Sequence, residues 1–304
     1  MSRLEINYLD NCLTPNYSAL DVDIRDVVWA RLTLCKGRSR PTLLSSALQT
    51  IYDINEIRQL LSFSTSPQYS RRLMNFPNPE YKRLVAEKFG ECFSKIVARD
   101  IVDIPILFRT IDFEGTFNIQ YQNNKPKKPD FIGRRNISNR YSAIEAKGST
   151  GKLKNRTLIN GLEQVASPIS IENQTPELGV VCYTHLENSN SRNICCSIAD
   201  PVSDKMPAWY FKPTARMWQN YYFGAWFWSD ARVILEEPFL SEFAITLRPE
   251  LKERLPILYG ERNFWREFAI IAQKLSKDGW HNEESTGKSK RFPDGIEIEH
   301  LFWE

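Results

Sequence analysis

Between Pro129 and Lys147 the chain sets two acids and a lysine at a spacing that leaves few folding options. Arg140 to Lys147, RYSAIEAK, reads as a strand, in which alternate side chains share a face. Ile144 and Ala146 then lie on one side, Glu145 and Lys147 on the other. Lys125 to Gly133 supplies a second short extended piece, and the polar run Arg134 to Asn139 suits a hairpin loop that returns the chain antiparallel. Asp130 thereby comes beside Glu145, fifteen residues later, and Lys147 projects toward the same spot. Two carboxylates with few competing ligands suit a hard, oxygen-seeking cation such as Mg²⁺, which keeps waters and takes its remaining ligands from substrate phosphate. A cation so placed activates a water, neutralises an attacked phosphate or stabilises a leaving oxygen.

The order Pro129-Asp130, then Glu145-Ala146-Lys147, resembles the PD-(D/E)XK nuclease superfamily of restriction enzymes, RecB-type nucleases and related repair and defence enzymes. The resemblance covers roughly Glu80 to Asp200. It implies an α/β, restriction-endonuclease-like core of a helix, three strands, a helix and a further strand, with a mixed sheet flanked by helices. It implies Asp130 and Glu145 as metal ligands, Mg²⁺ as the cofactor with Mn²⁺ able to replace it, and Lys147 as the residue that orients or activates the attacking water. In that superfamily the first core helix often adds a glutamate to the metal; Glu80, Glu87 and Glu91 are the candidates here. Glu91 lies beside Leu84 at the edge of the apolar stripe and follows Gly90, which permits close approach, so Glu91 is the preferred third ligand. A surface acid on an amphipathic helix is the competing reading. Gln164 matches a glutamine that some RecB-like nucleases place after the Glu-x-Lys strand to complete the site. Their pattern continues with a tyrosine four residues on, where this chain has Pro168, and a structural glutamine on an exposed helix face is the simpler reading.

Glu-x-Lys alone carries little, since Glu80-Tyr81-Lys82 and Glu250-Leu251-Lys252 also occur, both in charged, helix-like surroundings. Pro293-Asp294 repeats the other half of the motif with no lysine behind its acids. Only the pairing of Asp130 with Glu145 and Lys147 has the order, the distance and an apolar strand to carry it. The bland alternative is a Pro-Asp turn followed by an ordinary hairpin with an exposed ion pair.

Charge is distributed in keeping with a polyanion cleft. Net charge is only +3, yet Lys125 to Arg156 holds ten Lys or Arg against two acids, a surplus of eight, so the rest of the chain carries a deficit of five. Lys127, Lys128, Arg134, Arg135, Lys152 and Lys154 are the expected contacts to a nucleic-acid backbone. Hydrophobic content of 42% and aromatic content of 12% place the chain among globular proteins with a substantial core. No apolar run reaches membrane-span length and the first residues have no signal-peptide core, so a cytoplasmic protein without a membrane partner is expected. The six cysteines show no Cys-x-x-Cys spacing, which argues against zinc, and no cysteine after Cys196 is available to close an iron–sulfur cluster around the core.

Three regions are expected. Residues 1–79 read as a mixed α/β region, with a strand at Val27 to Leu34 and a helix from Thr42 to Leu61. Residues 80–200 form the nuclease-like core: a helix from Glu80 to Val97, a first strand within Ile104 to Ile119, the two motif strands, a helix from Leu153 to Ala166, and strands at Leu178 to Thr184 and Asn193 to Ile198. His185 receives no role. Residues 201–304 read as a mostly helical, aromatic-rich lobe, with stripes at Met217 to Trp226 and Phe264 to Leu275. Ser285 to Ser289 ends like a phosphate-binding loop, but position 282 is Asn where that loop needs Gly.

The expectation is therefore a Mg²⁺-dependent nuclease acting on DNA, in restriction, phage defence or mobile-element processing. The alternative is a non-catalytic nucleic-acid-binding subunit of a larger complex with the same fold. DNA and RNA are not separated by the sequence, and a protein partner on the carboxy-terminal lobe or a homodimer is compatible with it.

Overall fold

Apolar patterning accounts for most of the elements and for how they stack. The structure, a computed structural model, describes residues 1–9, 19–34, 43–112, 119–121, 127–136, 141–171, 176–188, 190–200, 243–248, 289–294 and 296–300. In chain order the elements are β1 (Ser2–Tyr8), β2 (Ala19–Val22), α1 (Ile24–Thr33), α2 (Leu43–Leu60), β3 (Leu61–Phe63), β4 (Pro67–Tyr69), α3 (Arg71–Met74), α4 (Pro79–Asp100) and β5 (Ile106–Arg109). A 3₁₀ turn (Thr110–Asp112) leads on to β6 (Ile119–Tyr121), β7 (Phe131–Arg134), β8 (Tyr141–Gly148), α5 (Asn155–Ala166), β9 (Pro168–Ile171), β10 (Gly179–Leu186) and β11 (Ile194–Ala199). Last come β12 (Phe243–Leu247), β13 (Ser289–Arg291) and β14 (Ile296–His300). The chain divides into two compact units, Met1–Ala30 with Ile57–Phe211, and Arg31–Glu56 with Lys212–Glu304.

The first unit is built on a seven-stranded mixed sheet in the order β2-β1-β11-β10-β8-β7-β5. Strands β5, β7 and β8 form an antiparallel run, β8 pairs β10 in parallel, and β10 returns antiparallel to β11. At the other side β1 pairs β11 in parallel and β2 in antiparallel fashion. The expected boundary near residue 79 therefore does not separate the first strands from the core. β1 alternates buried Leu4 and Ile6 with exposed Arg3 and Glu5, the pattern of a half-buried strand, and it lies against the continuously buried β11.

Helix α4 begins where the sequence says it should. Asn78 caps it, its Oδ1 accepting from Glu80 N at 2.9 Å and Tyr81 N at 3.2 Å, and Pro79 occupies the first turn. Val85, Phe89, Phe93, Ile96 and Val97 are buried, each contributing about 1.5–3 kcal/mol by leaving water. Leu84, read as part of that stripe, is half exposed. After α4, Asp103 takes a left-handed φ of 60° and its carbonyl accepts from Asn136 N at 2.9 Å, turning the chain into β5.

Two glycine contacts set how the helices sit. A Cβ on Gly148 would lie 1.8 Å from Ala86 O, and one on Gly90 would lie 2.8 Å from Gly148 Cα, so α4 and the end of β8 touch backbone to backbone. On the face carrying Ala143 and Val181, α5 packs through Leu158, Leu162 and Val165, with Gly161 so close to Val181 that a Cβ there would meet it at 2.9 Å. Arg109, Phe131 and Ile144 stand opposite one another in the ladder and share the other face, where Arg109 pairs with Glu91 of α4.

One expectation needs correction. Val27 to Leu34 is helical, within and just after α1; residues 25–34 are buried throughout, so no apolar period was available to distinguish helix from strand. After residue 200 the described residues, 243–248, 289–294 and 296–300, form a three-stranded antiparallel sheet, β12-β14-β13. The aromatic stripes at 217–226 and 264–275 lie outside the described residues. No helix among the described residues is long and apolar enough to cross a membrane.

Candidate active site

The register of the β7–β8 hairpin puts Phe131 opposite Ile144, so Asp130, one residue earlier, comes beside Glu145, one residue later. Hydrogen bonds lock the two together. Asp130 N donates to Glu145 Oε2 at 2.9 Å, and Ala146 N donates to Asp130 Oδ2 at 3.1 Å. Lys147 donates its Nζ proton to Glu145 Oε1 and to Gln164 Oε1, the latter at 2.9 Å. Gln164 in turn donates from Nε2 to Lys128 O at 2.9 Å. Gln164 thus ties the lysine to the segment that leads into Pro129-Asp130, and it is placed by the exposed edge of α5.

Burial is graded across the group. Glu145 is fully buried, Asp130 is half-buried and the Lys147 side chain is 21% exposed, so solvent reaches the acid pair from the side of Asp130 and Lys147. The burial shifts both acids. Desolvation first, and then the neighbouring Asp130 charge, push the Glu145 carboxyl up to about 8 against the pull of Lys147. Desolvation also raises the Asp130 carboxyl above its ordinary value, opposed mainly by Lys147, and the Glu91 carboxylate adds to the rise. Two acids in this state favour a bound positive charge.

Glu91 is therefore within electrostatic reach of Asp130, and it is held by another partner. Arg109 donates to Glu91 Oε2, and its guanidinium lies 5.1 Å from the centroid of the Phe131 ring. Among the described residues no three or more His, Cys, Asp or Glu side chains are grouped to hold a metal ion. Mg²⁺ does not need three, since one or two carboxylates with waters and phosphate oxygens complete its octahedron. Asp130 and Glu145, two hard oxygen donors that share one ammonium, Lys147, fit such an ion; Glu91 would join them only by leaving Arg109.

The basic residues separate into two groups. Lys127 and Lys128 lead directly into Asp130, and exposed Lys152 and Lys154 follow β8 in the connection to α5. Lys127 Nζ lies 2.6 Å from Glu163 and 3.3 Å from Asn160 on α5. Arg134 ends β7 opposite Tyr141, about 13 Å along the strand from Asp130 at the usual rise per residue. Arg135 donates to Val102 O at 3.0 Å and to Glu177 at 3.1 Å, so its side chain is spent at that far end. Asp294, the second Pro-Asp acid, is buried in the turn between β13 and β14 and accepts from Ile296 N at 3.3 Å.

Arg109 is the residue that sequence reasoning missed. Its partner stands eighteen residues earlier on another element, and nothing local marks an arginine that closes the apolar run Ile106-Leu107-Phe108. The chain matches no family model, no curated protein and no solved structure.

Proposed function

We propose that this chain is a Mg²⁺-dependent nuclease that hydrolyses phosphodiester bonds of DNA through Asp130, Glu145 and Lys147. The observation that carries the reading is the fully buried Glu145, bonded at once to the Asp130 backbone and the Lys147 ammonium beside a solvent-facing second acid. The run α4, β5, β7, β8, α5, β10 supports it, following the helix, three strands, helix and strand that the resemblance implies. Asp130 and Glu145 would hold the cation, which when bound supplies Lewis-acid polarisation of the phosphate and a water of lowered pKa. Lys147 has two of its three N–H directions committed to Glu145 and Gln164, leaving the third to orient the attacking water. Gln164 keeps that ammonium aimed, and Lys127, Lys128, Lys152 and Lys154 attract the nucleic-acid backbone. The settings this chemistry suits are restriction of foreign DNA, phage defence or mobile-element processing, in a cytoplasm whose reducing conditions agree with the four free, buried cysteines among the described residues.

The engagement of Glu91 with Arg109 favours a second reading, a nucleic-acid-binding subunit that does not cut. One experiment separates them: incubation of plasmid, linear duplex, single-stranded DNA and RNA with Mg²⁺, Mn²⁺ or EDTA, using wild type, Asp130→Ala and Lys147→Ala. Metal-dependent cutting by wild type that both variants lose is the expected result. Equal inactivity with equal binding would replace the nuclease with the binding subunit.

A further inference from the structure

Arg109 and Thr110, at the end of β5, are arranged around Asp130. Thr110 N donates to Asp130 O at 2.9 Å, and the Arg109 guanidinium stacks on Phe131, the next residue in the chain. The same guanidinium is bonded to Glu91, with side chains only 10% and 17% exposed. A pair so poorly hydrated is screened far less than a surface one. Three carboxylates, Glu91, Asp130 and Glu145, thus meet cationic charge from two sides, Lys147 on one face of the sheet and Arg109 on the other. We infer that Arg109 is a positioning residue that sets the threshold for metal loading: its guanidinium holds the Glu91 carboxylate in the metal-free protein, and a divalent cation must compete with it for that acid. That role presupposes the cation site proposed above.

The charge balance gives the direction. A positive charge bonded to a potential ligand opposes the binding of a divalent ion there, because the ion must displace it. Arg109→Gln removes the opposing charge while keeping a polar, near-planar end, and should tighten metal binding at least about tenfold, as expected at an effective dielectric of about 20. Arg109→Lys keeps the charge and should stay within about threefold of wild type on the same basis. In the double variant Arg109→Gln with Glu91→Gln the gain should vanish, because the acid over which the two cations compete is gone.

The test is calorimetric titration of the EDTA-stripped full chain with Mn²⁺ alone, at one pH and without nucleic acid. Thermal unfolding establishes that each variant is folded; Arg109→Met, which keeps an aliphatic stem over Phe131, replaces Arg109→Gln if the latter does not fold. Tighter binding by Arg109→Gln or Arg109→Met, abolished by Glu91→Gln, is the expected result. If Asp130→Asn weakens binding but the Arg109 variants bind no tighter than wild type, the competition is overturned and the cation site stands. If Asp130→Asn changes nothing, the cation site itself fails and the role of Arg109 falls with it.

Discussion

One face of the central sheet carries two clusters of titratable side chains with opposite fates. Glu145 and Lys147 on β8 stand beside Val181 and Tyr183 on β10; two residues further along β10 is His185, facing Cys195 on β11, with Ser197 opposite Tyr183. His185 is settled. Its Nδ1 donates to Leu186 O at 2.9 Å, so Nε2 accepts from the Ser197 hydroxyl at 2.7 Å. Burial lowers the imidazole's affinity for a proton and pushes the Cys195 thiol up to about 12. His185 and Ser197 are both hydrogen-bonded there, with the Glu5 carboxylate the neighbouring charge. In the acid cluster the same burial acts on carboxylates crowded by their own kind, and no neutral arrangement satisfies all of them. A serine and a histidine at hydrogen-bond distance resemble a nucleophile and its base, yet both are buried and engaged with each other. Polar burial alone does not mark a site; charge left unbalanced next to solvent does.

The largest separation between the clusters is expected in turnover. Asp130→Ala and Lys147→Ala should each lower metal-dependent cleavage at least about hundredfold, the scale of losing a proton-transfer or charge-stabilising group. His185→Gln should leave the rate within about twofold. A His185 variant as inactive as Lys147→Ala, yet fully folded, would break the distinction.

Next in size is a pH effect confined to the acid cluster. The folded protein holds the Glu145 proton more tightly than the unfolded chain, so metal-free stability falls as pH rises from the ordinary 4.5 toward about 8. Glu145→Gln removes that slope. In EDTA, wild type should lose on the order of a few kcal/mol relative to Glu145→Gln between pH 5 and 8.5, measured by denaturant unfolding, and Mn²⁺ should restore wild type at the upper end. The range from about 5 to 8.5 covers most of the interval between the ordinary value of 4.5 and the raised value of about 8.

Ser197→Ala probes the settled cluster. It leaves His185 Nε2 buried without its donor and should cost about 1–3 kcal/mol with no pH slope of the Glu145 kind. Smallest is Lys127→Ala. The Lys127–Glu163 pair has both side chains more than half exposed, so stability should move by less than about 0.5 kcal/mol. Its effect should appear instead in the salt dependence of DNA binding, whose slope should flatten by about one phosphate contact.

Much of the site was legible because it is local. Alternation in RYSAIEAK placed β8 to within a residue, the polar run after Arg134 implied the hairpin, and the apolar stripe between Glu80 and Val97 located α4. Gly90 beside Glu91 was read as a point of close approach, and the partner that approaches is the backbone of Gly148. What escaped is what the local pattern does not encode. β1 finds β11 across about 190 residues, and a half-buried strand does not announce its neighbour. In the same way Arg109 looks like the polar end of an edge strand until α4 is laid over it. Arg134 and Arg135 count toward the basic window by sequence, yet strand rise carries them to the end of the hairpin away from Asp130.

The contact between Gly90 and Gly148 has a consequence for redesign. Because main chain meets main chain there, the separation between α4 and the end of β8 is fixed by backbone radii and not by the sizes of the side chains around it. The apolar residues of α4 can then be exchanged in concert, as one refits an engine around a fixed bearing, and Glu91 will keep its distance from Lys147. At the bearing itself, Gly90 and Gly148 leave no room for a Cβ.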